Sequence, residues 1–206
     1  MWPIVVVYVV SCVYAVVRYV AFTPKYAENI PVFIMNKGVA MAAALCLSLG
    51  FWSQWRRSRG ELMGVVTRVE PAVWFRAGVF GAVWHIPMAL AILRPAYFHD
   101  FFVASGVGGS DGLGPKLSTG GETIFFFGGL ASGLVFLLLR PQMGERARWV
   151  ASIAMMSALL GHVLAMGWCR GLNIKAQYGY LPPMWLISAV GVGVGLVVVL
   201  GTRRRR

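Results

Sequence analysis

Six stretches of mainly apolar residues, each about 20 residues long, constrain the fold of this chain more than any other feature. A helix rises about 1.5 Å per residue, so about 20 apolar residues cross a hydrocarbon core of about 30 Å. Because the first stretch lacks a basic start and a clear cleavage site, we interpret it as a retained helix. The sequence predicts an all-α integral membrane protein, a six-transmembrane-helix bundle that forms a single domain over residues 1–206. The predicted spans lie near 3–22, 33–52, 72–94, 122–139, 149–168 and 182–201.

The composition supports a membrane protein and excludes a water-soluble domain. Hydrophobic residues make up 58% of the chain and charged residues only 13%, and the mean hydropathy is +0.70. The net charge of +12 is carried by short clusters between apolar stretches rather than along one polar face, so we expect no nucleic-acid partner. The three cysteines form no CxxC pair, which argues against a disulfide framework or a thiol-redox motif.

The arginine clusters predict the orientation of the chain, because cytoplasmic loops retain Lys and Arg. They fall in the second loop, the fourth loop and the C-terminus, whereas the other loops hold mainly Lys25, Lys116, Arg170 and Lys175. We therefore expect both termini in the cytoplasm, with a bacterial inner membrane as the location and anionic lipids as partners of the clusters. The third loop, 95–121, contains the glycine-rich stretch GVGGSDGLGP and is predicted to be an irregular external cap.

Two of the three histidines fall inside predicted spans, where ionisable groups are costly and usually functional. His85 lies fourteen residues after Pro71 and His162 fourteen after Arg148, which is about 21 Å of helix in each case. Counted from Arg94 and Arg170 on the other side, both lie about 12 to 13 Å deep. The sequence therefore predicts two imidazoles at one depth, nearer the outer face. His99, in the external loop, is interpreted as a surface residue.

Two neutral imidazoles that face each other across a helical bundle can bind both axial positions of a haem iron. We therefore predict one haem b, with His85 and His162 as the metal ligands and no catalytic residue assigned. Aromatic and small residues nearby fit this use: Phe80 and Trp84 lie beside one histidine in sequence, and Gly161 and Met166 lie near the other. The alternatives are that each histidine only forms a hydrogen bond between helices, or that the pair binds zinc or copper, for which ligand-like cysteines and acidic residues are lacking.

Basic residues cluster near the predicted outer ends of the spans. Arg18 is late in the first span, Lys37 is early in the second and Arg94 closes the third. Haem propionates are anionic, so these three are candidate cofactor-binding residues. The alternative is that their side chains simply extend to the interface. Glu122 can pair with Lys37 or Arg94, and Pro87 is expected to bend the third span.

The segments around these residues resemble the ferric reductase-like transmembrane superfamily. This superfamily includes the haem-bearing membrane subunit of methionine sulfoxide reductase systems, the STEAP-type metalloreductases and the NADPH oxidases. The resemblance implies a six-helix ferric reductase-like fold and a b-type haem held by one histidine on the third helix and one on the fifth, here His85 and His162. The segments that carry it are NKGVAMAAALCLSL, FRAGVFGAVWHIPMALAILRPAYF, KLSTGGETIFFFGGL, ALLGHVLAMGWCRG and LPPMWLIS.

The chain departs from the superfamily in two respects. Members with two stacked haems carry two histidines on each of these helices, and here each has one, so we expect a single bis-histidine haem. The sequence also contains no flavin or nicotinamide domain, so we expect electrons to come from a separate donor, either a quinol or a redox protein.

The leading hypothesis is a membrane cytochrome b that transfers electrons near the external face, as the haem-bearing component of an oxidoreductase or a subunit of a larger membrane complex. The alternative is a haem-free structural or assembly subunit that retains the same scaffold. A small transporter is disfavoured, because the sequence has no inverted repeat and no charged pathway.

Overall fold

The structure, a computed structural model, describes residues 1–22, 30–61, 64–103, 116–140, 142–170 and 179–202. All the secondary-structure elements longer than an isolated bridge in these ranges are helices. The α-helices are α1 (Trp2–Val16), α2 (Met35–Ser58), α3 (Val65–Arg68), α4 (Pro71–Ala91), α5 (Pro95–Phe98), α6 (Thr119–Leu138), α7 (Glu145–Arg170) and α8 (Met184–Thr202). A π-helical turn, Val17–Ala21, continues α1, another, Ile30–Ile34, precedes α2, and a 3-10 turn, His99–Phe101, follows α5.

Six helices, counting α1 and α2 together with their adjoining π-helical turns, are long and apolar enough to cross a membrane, by length and composition. The prediction of an all-helical chain with six helices able to span a membrane is therefore confirmed for the described residues, and most helix ends lie within four residues of the expected positions. The main difference is α2, which ends at Ser58 rather than near residue 52. Its last turn contains Arg56 and Arg57, good helix formers, so the helix continues past its apolar part. The ferric reductase-like arrangement and the single domain over 1–206 stay predictions.

Local sequence signals explain where several helices begin. Pro3 and Pro71 lie in the first turns of α1 and α4, where a missing backbone N–H costs nothing and the fixed φ favours a helix. Ser118 caps α6, because its hydroxyl accepts a hydrogen bond of 3.2 Å from the backbone N–H of Gly121. Inside α4 the helix continues through Pro87 up to Ala91.

Helix α2 lies at the centre of the bundle and packs against α1, α4 and α8, while α7 packs against α6 and α8. Small residues at Gly38 and from Ala42 to Ala44 allow this close approach on several sides, and most of α2 is buried. Contacts between Leu47 and Gly78, and between Trp149 and Val199, show that neighbours in the bundle alternate in direction. The exception is the pair α2 and α8, which run parallel, with Leu45 against Gly191 and Ser48 against Gly195.

Only some of the glycines in the spans serve close helix packing. A Cβ atom placed on Gly78 would lie 2.6 Å from Leu47 Cγ, and one on Gly167 would lie 2.6 Å from the Trp185 ring. Glycines in the spans are expected to allow close helix packing, but Gly129, Gly133 and Gly193 have no atom of the described chain within 4 Å of such a Cβ, so that expectation is wrong for these three. They face away from neighbouring helices, which sequence spacing alone did not reveal.

The two ends of the bundle differ in chemistry. At one end, which we call the arginine-rich end, Glu61 forms ion pairs with Arg56 (2.6 Å) and Arg59 (3.0 Å). Arg57 donates to the carbonyl of Thr67 there, so the short helix α3 is fixed to the end of α2. Other arginines at this end are Arg68, Arg140, Arg146 and Arg148.

At the opposite end, aromatic rings form a compact cluster. Phe98 stacks on Phe101 at 5.0 Å between ring centroids, and Phe33 stacks on Tyr97 at 5.3 Å. An isolated β-bridge joins Phe102 to Leu117. Within the predicted cap, residues 95–101 and 119–121 are therefore helical rather than irregular. The GVGGSDGLGP stretch lies outside the described residues, as do Lys25, Lys175 and the final four arginines.

Candidate functional site

His85 lies in the second half of α4 and bonds to the neighbouring helix α2. Its Nδ1 lies 2.6 Å from Oδ1 of Asn36, in the first turn of α2. Asn36 is buried, and a buried amide that had no partner would be costly. The bond therefore satisfies Asn36 and at the same time fixes the rotation of the His85 ring.

His162 lies in the second half of α7 and bonds to α6. Its Nδ1 lies 2.8 Å from the carbonyl oxygen of Ile124. This approach depends on Gly128, one turn further along α6, because a Cβ there would lie 2.9 Å from His162 Nδ1 and 3.1 Å from Cε1. Gly128 is thus a glycine that makes room for a ring, and any larger residue would displace the imidazole.

The two hydrogen bonds determine which ring nitrogen carries the proton. A carbonyl oxygen only accepts, so Nδ1 of His162 donates to Ile124, and Nδ1 of His85 likewise donates to Oδ1 of Asn36. A neutral imidazole carries one proton, so Nε2 of each ring has a free lone pair. Among the residues that the structure describes, neither Nε2 has a hydrogen-bond partner. This is the arrangement in which histidine binds a metal through Nε2, with its other nitrogen held by an acceptor.

The packing register places the two histidines at similar depth. Gly78 contacts Leu47, and Gly195 contacts both Ser48 and Met156, so Gly78 and Met156 lie at nearly one level. Both α4 and α7 run from that level toward the end opposite the arginines. His85 follows Gly78 by seven residues and His162 follows Met156 by six, a difference of about 1.5 Å of helical rise.

The histidines are carried by different helix pairs within the bundle. His85 belongs to α4, which lies along α2, whereas His162 belongs to α7, which lies between α6 and α8. Even so, His85 is within electrostatic range of His162. No group of three or more His, Cys, Asp or Glu side chains converges in the described part of the chain. A haem iron needs only two protein nitrogens, since the porphyrin supplies the other four, so this donor set fits a haem.

Lys37 is positioned next to this site by aromatic rings. Its Nζ lies 4.6 Å from the centroid of the Phe33 ring, 5.0 Å from Tyr19 and 6.0 Å from Phe98. Cation–π attraction of this kind is worth about 0.5–2 kcal/mol and holds the ammonium beside apolar residues. Lys37 also directly follows Asn36, whose Oδ1 lies 2.6 Å from Nδ1 of His85. The structure therefore places Lys37 one residue from the hydrogen-bond partner of His85.

Arg94 and Glu122 lie further out. Arg94 follows the end of α4, is exposed, and places its guanidinium 4.7 Å from the centroid of the Tyr97 ring. Glu122 is exposed in the first turn of α6, and no ion pair joins it to Lys37 or Arg94 in the described ranges. Tyr97 in turn stacks on Phe33, which touches Lys37. The stacked rings of Tyr97 and Phe33 thus lie between Arg94 and Lys37.

Arg18 has a different environment from Lys37 and Arg94. It is 1% exposed, and its Nη1 donates to the carbonyl of Leu181, immediately before α8. One turn earlier, the hydroxyl of Tyr14 donates to the carbonyl of Pro182 at 2.5 Å. We call these two bonds the α1–α8 latch, because they tie the end of α1 to the start of α8. Arg18 therefore has a structural role in the latch, and its role as a propionate partner stays a prediction.

Two aromatic residues expected beside His85 face away from the bundle. Phe80 is 62% exposed and Trp84 is 55% exposed, and their rings pack edge to face at 6.2 Å. Phe80 and Trp84 are four residues apart and so share one face of the helix. His85, the next residue, lies about 100° further round the helix axis. Gly161 is covered by the Phe127 ring, and Met166 packs in the aromatic cluster at the end opposite the arginines. His99 begins the 3-10 turn of the loop.

The sequence did not identify the partners of the histidines. Asn36 was the partner that the sequence indicated best, since a lone amide within an apolar stretch and beside Lys37 suggests a buried hydrogen bond. The Ile124 carbonyl and Gly128 gave no comparable signal, because any helix has carbonyls and six spans contain many glycines. No protein-family model and no curated protein matches this sequence.

Proposed function

We propose that this chain is a membrane cytochrome b that binds one haem b between His85 and His162 and transfers single electrons. The observation that carries the proposal is the pair of Nδ1 hydrogen bonds to Asn36 and Ile124. These bonds leave Nε2 of each neutral imidazole with a lone pair that can bind iron. The bound haem would supply one-electron chemistry, and the protein would set its potential through axial ligation, burial and nearby charge.

The surroundings of the histidines support this assignment. Both side chains are partly buried in apolar helices, which would limit the access of water to a bound iron. Lys37 carries a positive charge within range of His85 and is the best placed of the three candidate partners for a propionate. Arg94 lies beyond it at the outer end, whereas Arg18 is engaged in the α1–α8 latch.

The chain would act together with other redox partners. We infer a separate donor, a quinol or a redox protein, and a separate acceptor, with membership of a larger membrane complex. The arginine-rich end supports an orientation with that end in the cytoplasm of a bacterium and the histidines nearer the external face. The superfamily resemblance of the sequence supports the same assignment.

The proposal is tested by purifying the full chain in mild detergent and measuring its absorption spectrum before and after dithionite, together with its haem content. We expect one haem b per chain and a reducible b-type absorption band. A chain that remains colourless, even when it is expressed with added haem precursor, would instead support a haem-free structural subunit in which the two histidines only link helices.

Asn36 is expected to be a positioning residue for the haem ligand. Replacing it as Asn36→Leu removes the acceptor for Nδ1 of His85, so the ring can rotate and bind iron less well. Loss of such an outer partner typically lowers metal affinity by about 10–100-fold. We expect a loss of haem affinity in this range and a changed midpoint potential, measured by haem titration and redox potentiometry.

The matched control is Ser48→Ala, because Ser48 is also a buried polar residue of α2 but donates only to the Ala44 carbonyl of its own helix. This variant is expected to keep the haem affinity and the potential of the unchanged chain. If Asn36→Leu behaves like Ser48→Ala, the hydrogen bond to Asn36 has no role in haem binding.

A further inference from the structure

A second candidate binding site lies far from the histidines, in an apolar groove between α2 and α8 at the arginine-rich end. Trp52 and Trp55 form one wall, with ring centroids 5.4 Å apart. Residues of α8 form the floor and the other wall, among them Val190, Gly193, Val197 and Gly201. The groove has a volume of about 520 Å³ and is open on the outside of the bundle.

The groove exists because α8 has small residues on an outward face. Gly193 and Gly201 have no atom within 4 Å of the position of a Cβ, so nothing in the described chain fills the floor. Val190 and Val197 on the same face are largely exposed. From Val190 to Gly201 the groove follows twelve residues of α8, a helical rise of about 16 Å. This is about half of a hydrocarbon core of about 30 Å, so the groove spans one leaflet.

The mouth of the groove is positively charged. Arg59 lies with its guanidinium 4.7 Å from the centroid of the Trp55 ring, one turn along α2 from that residue. It pairs with Glu61 through Nε, so its two Nη groups remain available as donors among the described residues. Arg56 shares the same carboxylate. Within the described residues of this ion-pair group, two arginines therefore face one carboxylate.

We propose that this groove binds an anionic phospholipid of the cytoplasmic leaflet, with an acyl chain on the α8 floor and the phosphate at Arg59. Three observations support a lipid. The groove has the length of one leaflet, its walls are apolar with tryptophans at the interface, and its mouth carries donors suited to a phosphate. A transmembrane helix of a partner would need a face that continues across both leaflets. The proposal is independent of haem binding, so either can fail alone.

The test is native mass spectrometry of the full chain released from detergent micelles that contain equal amounts of phosphatidylglycerol and phosphatidylcholine with identical acyl chains. We expect the chain to retain phosphatidylglycerol preferentially. Arg59→Gln should lower this preference by about fivefold, the contribution of one arginine near a charged surface. Gly193→Leu should reduce the retention of both lipids, because its side chain would occupy the floor of the groove.

Two matched controls address general effects of these changes. Arg140→Gln removes an exposed arginine from the same end but outside the groove, and Gly133→Leu places a leucine at another glycine with open space around it, on α6. Both should keep the lipid pattern of the unchanged chain. Equal retention of the two lipids by that chain would overturn the proposal, as would unchanged binding in Arg59→Gln and Gly193→Leu. A dimer that Gly193→Leu dissociates would show a second copy in the groove instead.

Discussion

His85→Ala and His162→Ala are each expected to lose most of the bound haem. Each substitution removes one of the two nitrogen donors and leaves an opening beside the remaining one, so the loss should exceed the roughly 10–100-fold reduction expected for an outer partner such as Asn36. Haem content after purification and the reduced-minus-oxidised spectrum measure this effect. Imidazole added to the purified variants should restore part of the absorption band, because it can fill the vacated position.

The third histidine provides the control for this experiment. His99 lies in the loop after α5, outside both histidine-bearing spans, so His99→Ala should keep the haem content of the unchanged chain. The assignment of the ligands fails if either His85→Ala or His162→Ala purifies with the haem content and spectrum of the unchanged chain. A folded protein is verified by its helical circular dichroism in the same detergent.

Arg18→Met is expected to destabilise the chain by about 3 kcal/mol. The substitution keeps most of the apolar side-chain length but removes the donor to the Leu181 carbonyl, which is then left without its charged partner. A hydrogen bond to a charged group contributes about 1.5–3 kcal/mol, and an unsatisfied buried acceptor costs about 1–3 kcal/mol. The free energy of unfolding, measured by titration with sodium dodecyl sulfate and tryptophan fluorescence, should fall accordingly.

Arg68→Met is the control for charge removal, because Arg68 is exposed in α3 at the arginine-rich end. Its effect on the free energy of unfolding should stay within about 0.5 kcal/mol, as is usual for surface positions. Tyr14→Phe removes the other bond of the α1–α8 latch and should cost about 1 kcal/mol. Equal stability of Arg18→Met and Arg68→Met would show that the latch does not hold α1 to α8.

The sequence was sufficient for the parts of this fold that depend on local properties. Length and hydropathy determine which segments can cross a membrane, so six spans were predictable within a few residues at most ends. The end of α2 was missed, since a helix does not stop where its apolar residues stop, and Arg56 and Arg57 favour its continuation. The π-helical turn around Arg18 gave no periodic signal of its own.

The site was less predictable, because it depends on which helices become neighbours. Counting residues from the ends of the spans placed His85 and His162 at one depth, and the contacts of Gly78 and Gly195 agree with this. The residue count could not show that Asn36 would face His85, since two helices such as α2 and α4 can pack with either one rotated about its own axis. The same uncertainty explains Trp84, which is adjacent to His85 in sequence but points outward.

The central claim is that both histidines bind one iron, and the electron paramagnetic resonance spectrum of the oxidised, purified chain tests it most directly. Two imidazole ligands complete the coordination of ferric haem and give a low-spin signal, whereas loss of one gives a high-spin signal. We predict a low-spin spectrum for the unchanged chain and a high-spin spectrum for whatever haem remains in His162→Ala. A high-spin spectrum, or no haem signal, in the unchanged chain would contradict the account.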